Sequence, residues 1–332
     1  MTRSRRVAVA AAALVVLILA WLAFVMLATG PKGKVAVMIP KGASASHVAE
    51  VLARHRAVRS AFGFKLLAAV TGRSGSLKPG GYEIDPAAGP LSALGKIARG
   101  DVSARWVTIP EGYTIRRIGE RLDEAKLGRA ERFVELASHS GRSFPTSWQH
   151  PGDNLEGYLF PDTYLVPVGA REEDIIRMML DAFGRKIVGP VADDLRSSGM
   201  DLHRCVTIAS LVEREAAVPK DRALISAVIH NRLRRGMRLE IDATVLYALG
   251  GHKERVFYGD LEVDSPYNTY RNDGLPPGPI ASPGLDAVRS ALHPAAVDYL
   301  YYVARPDGSH IFSRTFVEHQ QAIKKARRER GG

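Results

Sequence analysis

Between Val7 and Thr29 lie twenty-three residues without a single charge. As a helix rising 1.5 Å per residue, the run is roughly 35 Å long, enough to cross a hydrocarbon core of ~30 Å. Arg3, Arg5 and Arg6 stand just before it. The positive-inside rule then keeps residues 1–6 in the cytoplasm and sends everything after Gly30 outside. A cleaved signal peptide has an apolar core of only ~7–15 residues, so residues 7–29 read as a single transmembrane helix. No cysteine stands directly after the run, which argues against a lipoprotein. The expected location is the inner (cytoplasmic) membrane, single-pass, with the remainder periplasmic or otherwise extracytoplasmic. In that compartment nucleotide cofactors and nucleic acid are poor candidates, and cell-wall polymers are good ones.

The formal charge of +11 does not reverse this. Most of it sits at the two ends, in the three arginines before the apolar run and in the basic tail Lys324–Arg330. Such a tail is a solvated end unless something else recommends it as a contact. One cysteine, Cys205, rules out an internal disulfide and any cysteine-cluster metal site. With 332 residues, 46% of them hydrophobic, there is room for two or three domains with their own cores.

Two stretches of the exported part match. Ile39-Pro40-Lys41-Gly42 precedes Val48 and Leu52, and Ile109-Pro110-Glu111-Gly112 precedes Ile118 and Leu122, seventy residues later. Each reads as a short strand (Lys34–Ile39 and Arg105–Ile109), a Pro-x-Gly turn and an amphipathic helix. Between them, Leu77–Ile84 reads as a turn into a strand. Residues 30–104 are therefore expected to form a small α+β module, and residues 105–332 a mainly helical domain with short strands. Helices are predicted over Glu172–Phe183, Asp201–Val218 and Asp221–Arg235, with Gly236 as a C-cap. The four prolines in 275–283 stiffen that loop, Tyr299–Ala304 suits a buried strand, and Ser309–Ser313 suits its hairpin partner.

One residue stands out on the predicted helix 201–218. At about 100° per residue, Glu215 falls within about 20° of Ile208 and so inside the stripe formed with Leu211 and Val212, whereas Glu213 and Arg214 point elsewhere. A carboxylate on an apolar stripe is costly unless it is paired, neutral or in a cleft. Burial raises its pKa, the property a general acid needs near neutral pH. A glutamate at a helix end, reaching solvent or an arginine, is the alternative. No His-Glu-x-x-His motif and no Gly-x-Ser-x-Gly elbow competes with it.

The ordered motifs of the second half resemble the YceG-like family of membrane-anchored endolytic murein transglycosylases. They are Glu156-Gly157-Tyr158 with Phe160-Pro161-Asp162-Thr163, Ala209-Ser210-Leu211-Val212-Glu213-Arg214-Glu215, Asn231-Arg232-Leu233, Asp242 with Thr244-Val245, Tyr267-Asn268-Thr269-Tyr270, Gly274 through Gly284, and His293-Pro294. The resemblance implies a LysM-like first module, which Lys78-Pro79-Gly80-Gly81-Tyr82 fits, and a YceG-like catalytic domain. It also implies that Glu215, the second glutamate of the Glu-x-Glu pair, is catalytic. Ala216 follows it where related sequences often carry a hydroxyl.

The activity implied is cleavage of the β-1,4 bond from N-acetylmuramic acid to N-acetylglucosamine inside nascent peptidoglycan strands. It leaves 1,6-anhydro ends, limits strand elongation and needs no metal or organic cofactor. Peptidoglycan synthases in the same membrane are the implied protein partners. Asp242, Tyr267, Asn268, Thr269 and Tyr270 are the candidates for the sugar-binding wall, because tyrosine rings offer an apolar face and a polar tip, and an amide can match an acetamido group. Glu156 is a further candidate at the substrate. Two other readings stay open here. One is a water-using muramidase with Glu156 or Asp242 as the second carboxylate; the other is a non-catalytic wall-binding scaffold for synthesis or division proteins.

Overall fold

The computed structural model describes residues 33–150, 152–250 and 256–331. The apolar run Val7–Thr29, and with it the expected transmembrane helix, lies outside them. Among the described residues no helix is long and apolar enough to cross a membrane. The fold is α+β, with short strands among many helices. It divides into two units, one formed by the chain up to Val107 together with Tyr164–Ala170, the other by Thr108–Thr163 and the chain from Arg171 onward.

The first unit is built on strands β1 (Val35–Ile39) and β2 (Gly80–Ile84) and helices α1 (Ala45–Arg54), α2 (Ala61–Val70) and α3 (Gly89–Arg99). β3 (Ala104–Thr108) leads out of it. β1 and β2 pair antiparallel, with Val35 opposite Ile84 and Ile39 opposite Gly80. Strand alternation turns Val37 and Ile39 inward, where they meet Val48 and Leu52 of α1, Phe64 of α2 and Leu94 and Ile97 of α3. Tyr82 is almost wholly buried and satisfies its hydroxyl by donating to the Lys78 carbonyl at 2.8 Å.

The second unit begins with α4 (Ile115–Glu124) and α5 (Ala130–His139). β4 (Thr163–Pro167), which follows, belongs to the first unit and completes its four-stranded sheet in the order β1-β2-β3-β4. The sequence places 164–170 with the second part, because a strand recruited from sixty residues away leaves no mark in local periodicity. The chain then forms α6 (Glu172–Phe183), α7 (Gly189–Ser198), α8 (Leu202–Glu215), α9 (Arg222–Arg234), α10 (Asp242–Ala248), α11 (Leu285–Leu292), the antiparallel hairpin β5 (Tyr301–Ala304) and β6 (His310–Ser313), and α12 (Phe316–Gly331). α8 is the central helix, buried without interruption from Cys205 to Val212.

The matching stretches share their geometry. β1 and β3 each run into a Pro-x-Gly turn whose glycine is left-handed, at φ 78° for Gly42 and 75° for Gly112. The helix that follows is capped by a hydroxyl: Ser44 accepts from His47 N–H, and Thr114 accepts from Arg117 N–H.

Candidate active site

α8 starts where the sequence says it should. Asp201 is its N-cap and accepts from the Arg204 N–H at 2.8 Å. It stops three residues earlier than the predicted Val218, because Ala216 turns to an extended conformation at ψ 100°. Glu215 is thus the last helical residue and emerges at the end of the buried stripe. Its carboxylate accepts from the Tyr302 hydroxyl of β5 at 3.0 Å, and the Ala243 backbone N–H at the start of α10 is near enough to favour its ionised form. Burial pushes its pKa up to about 7. The Tyr302 hydroxyl, Arg214 and the Ala243 N–H pull the other way, while the charge of Asp242 adds to the rise. A carboxyl poised there can give up a proton and take one back near neutral pH.

Glu213, outside the buried stripe, does a different job. It accepts from the Gly284 N–H at 3.0 Å, which ties down the start of α11, and lies 3.7 Å from Arg222.

The other candidates fall into three places. Asp242 is exposed at the first turn of α10 and accepts from the Tyr270 hydroxyl at 2.6 Å, so Glu215, Asp242, Tyr270 and Tyr302 form one cluster. Glu156 and Tyr267 belong to a second. Glu156 is buried, accepts the Ile115 N–H at 3.1 and 3.2 Å on its two oxygens, and accepts from the Tyr247 hydroxyl at 3.3 Å. Burial pushes its pKa up to about 8. The Tyr247 ring packs against Tyr267 at 4.8 Å. Asn268 and Thr269 build the loop itself. Asn268 is fully buried, donates to the Leu261 and Val263 carbonyls at 2.9 Å each and accepts from the Tyr270 N–H at 3.0 Å. The Thr269 hydroxyl accepts from the Ile241 N–H at 3.0 Å and lies 2.9 Å from that of Thr244. Their polar groups are spent on protein, and what they contribute is the position of Tyr267 and Tyr270.

A cavity of about 700 Å³ is lined by Arg214 and Ala243, the neighbours of Glu215, although Glu215 itself is not part of its wall. Ala243, Arg214 and Ile280 lie in its wall, with Glu156 and Tyr247 further along and α4 opposite. Among the described residues no group of three or more His, Cys, Asp or Glu could hold a metal ion.

Tyr302 and Tyr247 escaped the sequence reading. Tyr302 lies in a run read only as a buried strand, and the available signal was that a tyrosine in such a strand needs a partner for its hydroxyl. The rest of the motif residues hold this geometry together. Tyr158 donates to His203 Nδ1 at 2.9 Å, and His203 Nε2 in turn meets the Pro277 carbonyl at 2.9 Å. The Ile280 N–H donates to Ser210 Oγ at 3.0 Å, fixing the proline-rich loop to α8. Asn231 donates to the Val297 and Tyr299 carbonyls, and Arg232 to that of Leu300, which sets the approach to β5.

A glutamate with a raised pKa at the end of a buried helix, next to residues that line a cavity, has the features an acid–base enzyme site requires. The model of the YceG-like family matches residues 37–325, and this chain belongs to that family. It is 36% identical over 313 residues to the endolytic murein transglycosylase of Bacillus subtilis strain 168, covering 89% of this chain and 85% of that protein. It is 32% identical over 302 residues to the endolytic murein transglycosylase of Streptococcus pneumoniae strain D39, covering 82% of this chain but 54% of the longer relative. The crystal structure of a YceG-like protein from Listeria monocytogenes superposes with a TM-score of 0.59 at 35% identity, covering 88% of this chain and 99% of that one.

Proposed function

We propose that the protein is an endolytic murein transglycosylase, a lyase that cuts peptidoglycan strands internally, with Glu215 as its one acid–base group. The Glu215 carboxyl carries the proposal: it is held by Tyr302, next to the cavity-lining Arg214 and Ala243, with its pKa pushed up to about 7. Protonated, it gives its proton to the oxygen of the β-1,4 bond as the bond from muramoyl C1 breaks. The carboxylate left behind takes the proton from the muramoyl C6 hydroxyl as that oxygen closes on C1. The second step restores the acid, no water is consumed, and the product ends in 1,6-anhydro-muramic acid. The N-acetyl group of the muramoyl unit stabilises the oxocarbenium-like centre. Such a route needs one carboxyl group where an ordinary glycosidase needs two.

Asp242 favours a second reading. It lies close enough for its charge to act on Glu215, it is exposed, and it could activate water. Glu156 fits that part less well, because both its oxygens are occupied by the Ile115 N–H. In the fuller proposal residues 7–29 anchor the chain in the inner membrane with residues 1–6 in the cytoplasm, and 30–104 form a LysM-like module. The catalytic part then works in the extracytoplasmic space on nascent strands beside peptidoglycan synthases. Incubating peptidoglycan with the purified full chain and mass-analysing the fragments tests the chemistry. Internal cuts with anhydro ends are expected; reducing ends would replace the transglycosylase by the muramidase reading, and no cuts at all would remove both.

The pH profile adds a test of the acid. Cleavage requires protonated Glu215, so kcat/KM should hold on the acid side and fall about tenfold per pH unit above about 7. The Tyr302 hydroxyl stabilises the ionised form. Tyr302→Phe should therefore move the alkaline limb upward by roughly half to one pH unit. An unmoved limb in that variant would assign the limb to another group.

A further inference from the structure

Three guanidinium groups share the cleft wall: Arg116 and Arg117 on α4, and Arg214 on α8. Elsewhere on the same surface arginines have carboxylate partners close by, as Arg121 has Glu124 at 3.1 Å and Arg132 has Glu135 at 3.1 Å. None of the three has a carboxylate within ion-pair distance among the described residues, although Glu120 lines the same cavity. Two of them make neutral contacts instead. Arg117 stacks over the Tyr113 ring at 4.3 Å, and Arg214 Nη1 donates to the Gly112 carbonyl at 3.3 Å. Burial, and after it the charge of Arg117, push the Arg214 guanidinium below its ordinary pKa, while the charges of Glu215 and Glu213 pull it back. Three exposed guanidinium groups on one cavity wall, none of them in a direct ion pair among the described residues, offer an incoming anion a concentrated positive charge. The Glu156 carboxyl further along the wall, neutral below about pH 8, does not fill that need.

The ligand's own chemistry supplies an anion. The sugar rings of a glycan strand are neutral; the negative charges are the carboxylates of the peptide carried on the lactyl group of each muramoyl unit. Arg214 and Ala243 lie in the wall beside Glu215, so the cluster sits next to where a muramoyl unit must be cut. We propose that Arg116, Arg117 and Arg214 form a subsite for a carboxylate of the stem peptide on the muramoyl unit at the cut, making the enzyme selective for strands with charged stems. This rests on the transglycosylase reading above. Bidentate guanidinium–carboxylate contacts give both the charge and the direction such a choice needs.

The test compares two substrates with the purified full chain: strands with free stem carboxylates, and the same strands with those carboxylates capped as amides. The wild type is expected to favour the free form by about tenfold in kcat/KM, and to lose part of that preference at high salt. In Arg116→Gln/Arg117→Gln the ratio should fall to about one, while Arg116→Lys/Arg117→Lys, which keeps the charges, should retain part of it. Unchanged melting temperatures separate this from misfolding; should the double variant not fold, each single glutamine variant is expected to lower the ratio. A wild-type ratio near one, or a tenfold preference that survives in the folded glutamine variants, overturns the subsite alone. Absence of anhydro ends from both substrates overturns the transglycosylase reading and the subsite with it.

Discussion

Glu215→Gln should lower the yield of anhydro-ended fragments by about 10²–10⁴-fold while leaving the fold intact. The amide keeps the shape of the side chain and its oxygen can still accept from Tyr302, but it has no acidic proton to give and cannot take one from a sugar hydroxyl. Stability provides the control. The pKa of Glu215 in the native protein, about 7, lies above the ordinary carboxyl value of 4.5, so the native state holds its proton more tightly than the unfolded chain does. The resulting stabilisation is complete below about pH 4.5 and is lost as pH rises through about 7. The glutamine variant cannot ionise and escapes that loss. Above pH 7 it should therefore melt no lower than the wild type, and chemical denaturation followed across pH 5–9 checks this. An inactive variant that is also less stable at pH 8 would point to a structural part for Glu215 in place of a chemical one. Full activity in the variant would remove it from the mechanism.

The fold was readable from sequence wherever a local rule decides the outcome. Helix Glu172–Phe183 begins and ends as predicted, and Asp201 caps α8 as its position before an apolar run requires. The hairpin β5–β6 forms within the predicted segments, although β5 is half-buried where a buried strand was expected. What was missed depends on partners distant in sequence. β4 exists because it adds to an edge of a sheet begun at residue 35, and no pattern in Thr163–Pro167 announces that. The site divides in the same way. Periodicity located Glu215, because a carboxylate in an apolar stripe is a local contradiction. It could not show that Tyr302, 87 residues on, would answer it, nor that the Asn268 amide would be consumed by the Leu261 and Val263 carbonyls. Three arginines from two helices, 97 residues apart, become a cluster only once the chain has folded.

Gly157→Ala should be a strongly damaging small change in the second unit, because two independent constraints meet there. Gly157 has φ 85°, in the left-handed region that L side chains avoid, which costs roughly 1–2 kcal/mol for alanine. A methyl group built on it would lie 2.4 Å from Cβ of Pro279 and 3.1 Å from Cγ1 of Val206, distances that require something to move. Neither neighbour yields easily. Val206 is in the buried run of α8, and Pro279 is in a rigid loop whose next residue, Ile280, is bonded to Ser210. Overpacking of this kind adds about 1–3 kcal/mol, so the total loss should be roughly 2–5 kcal/mol. Because Ser210 and Glu215 share one helix, and Ile280 forms part of the cleft wall, relief of the clash by loop displacement would also alter the cleft beside the acid. The expected result is a lowered denaturation midpoint together with an activity loss that persists under conditions where the variant is fully folded. A midpoint within about 0.5 kcal/mol of the wild type would mean that the backbone at 157 relaxes freely and that the loop is not held as tightly as its hydrogen bonds imply.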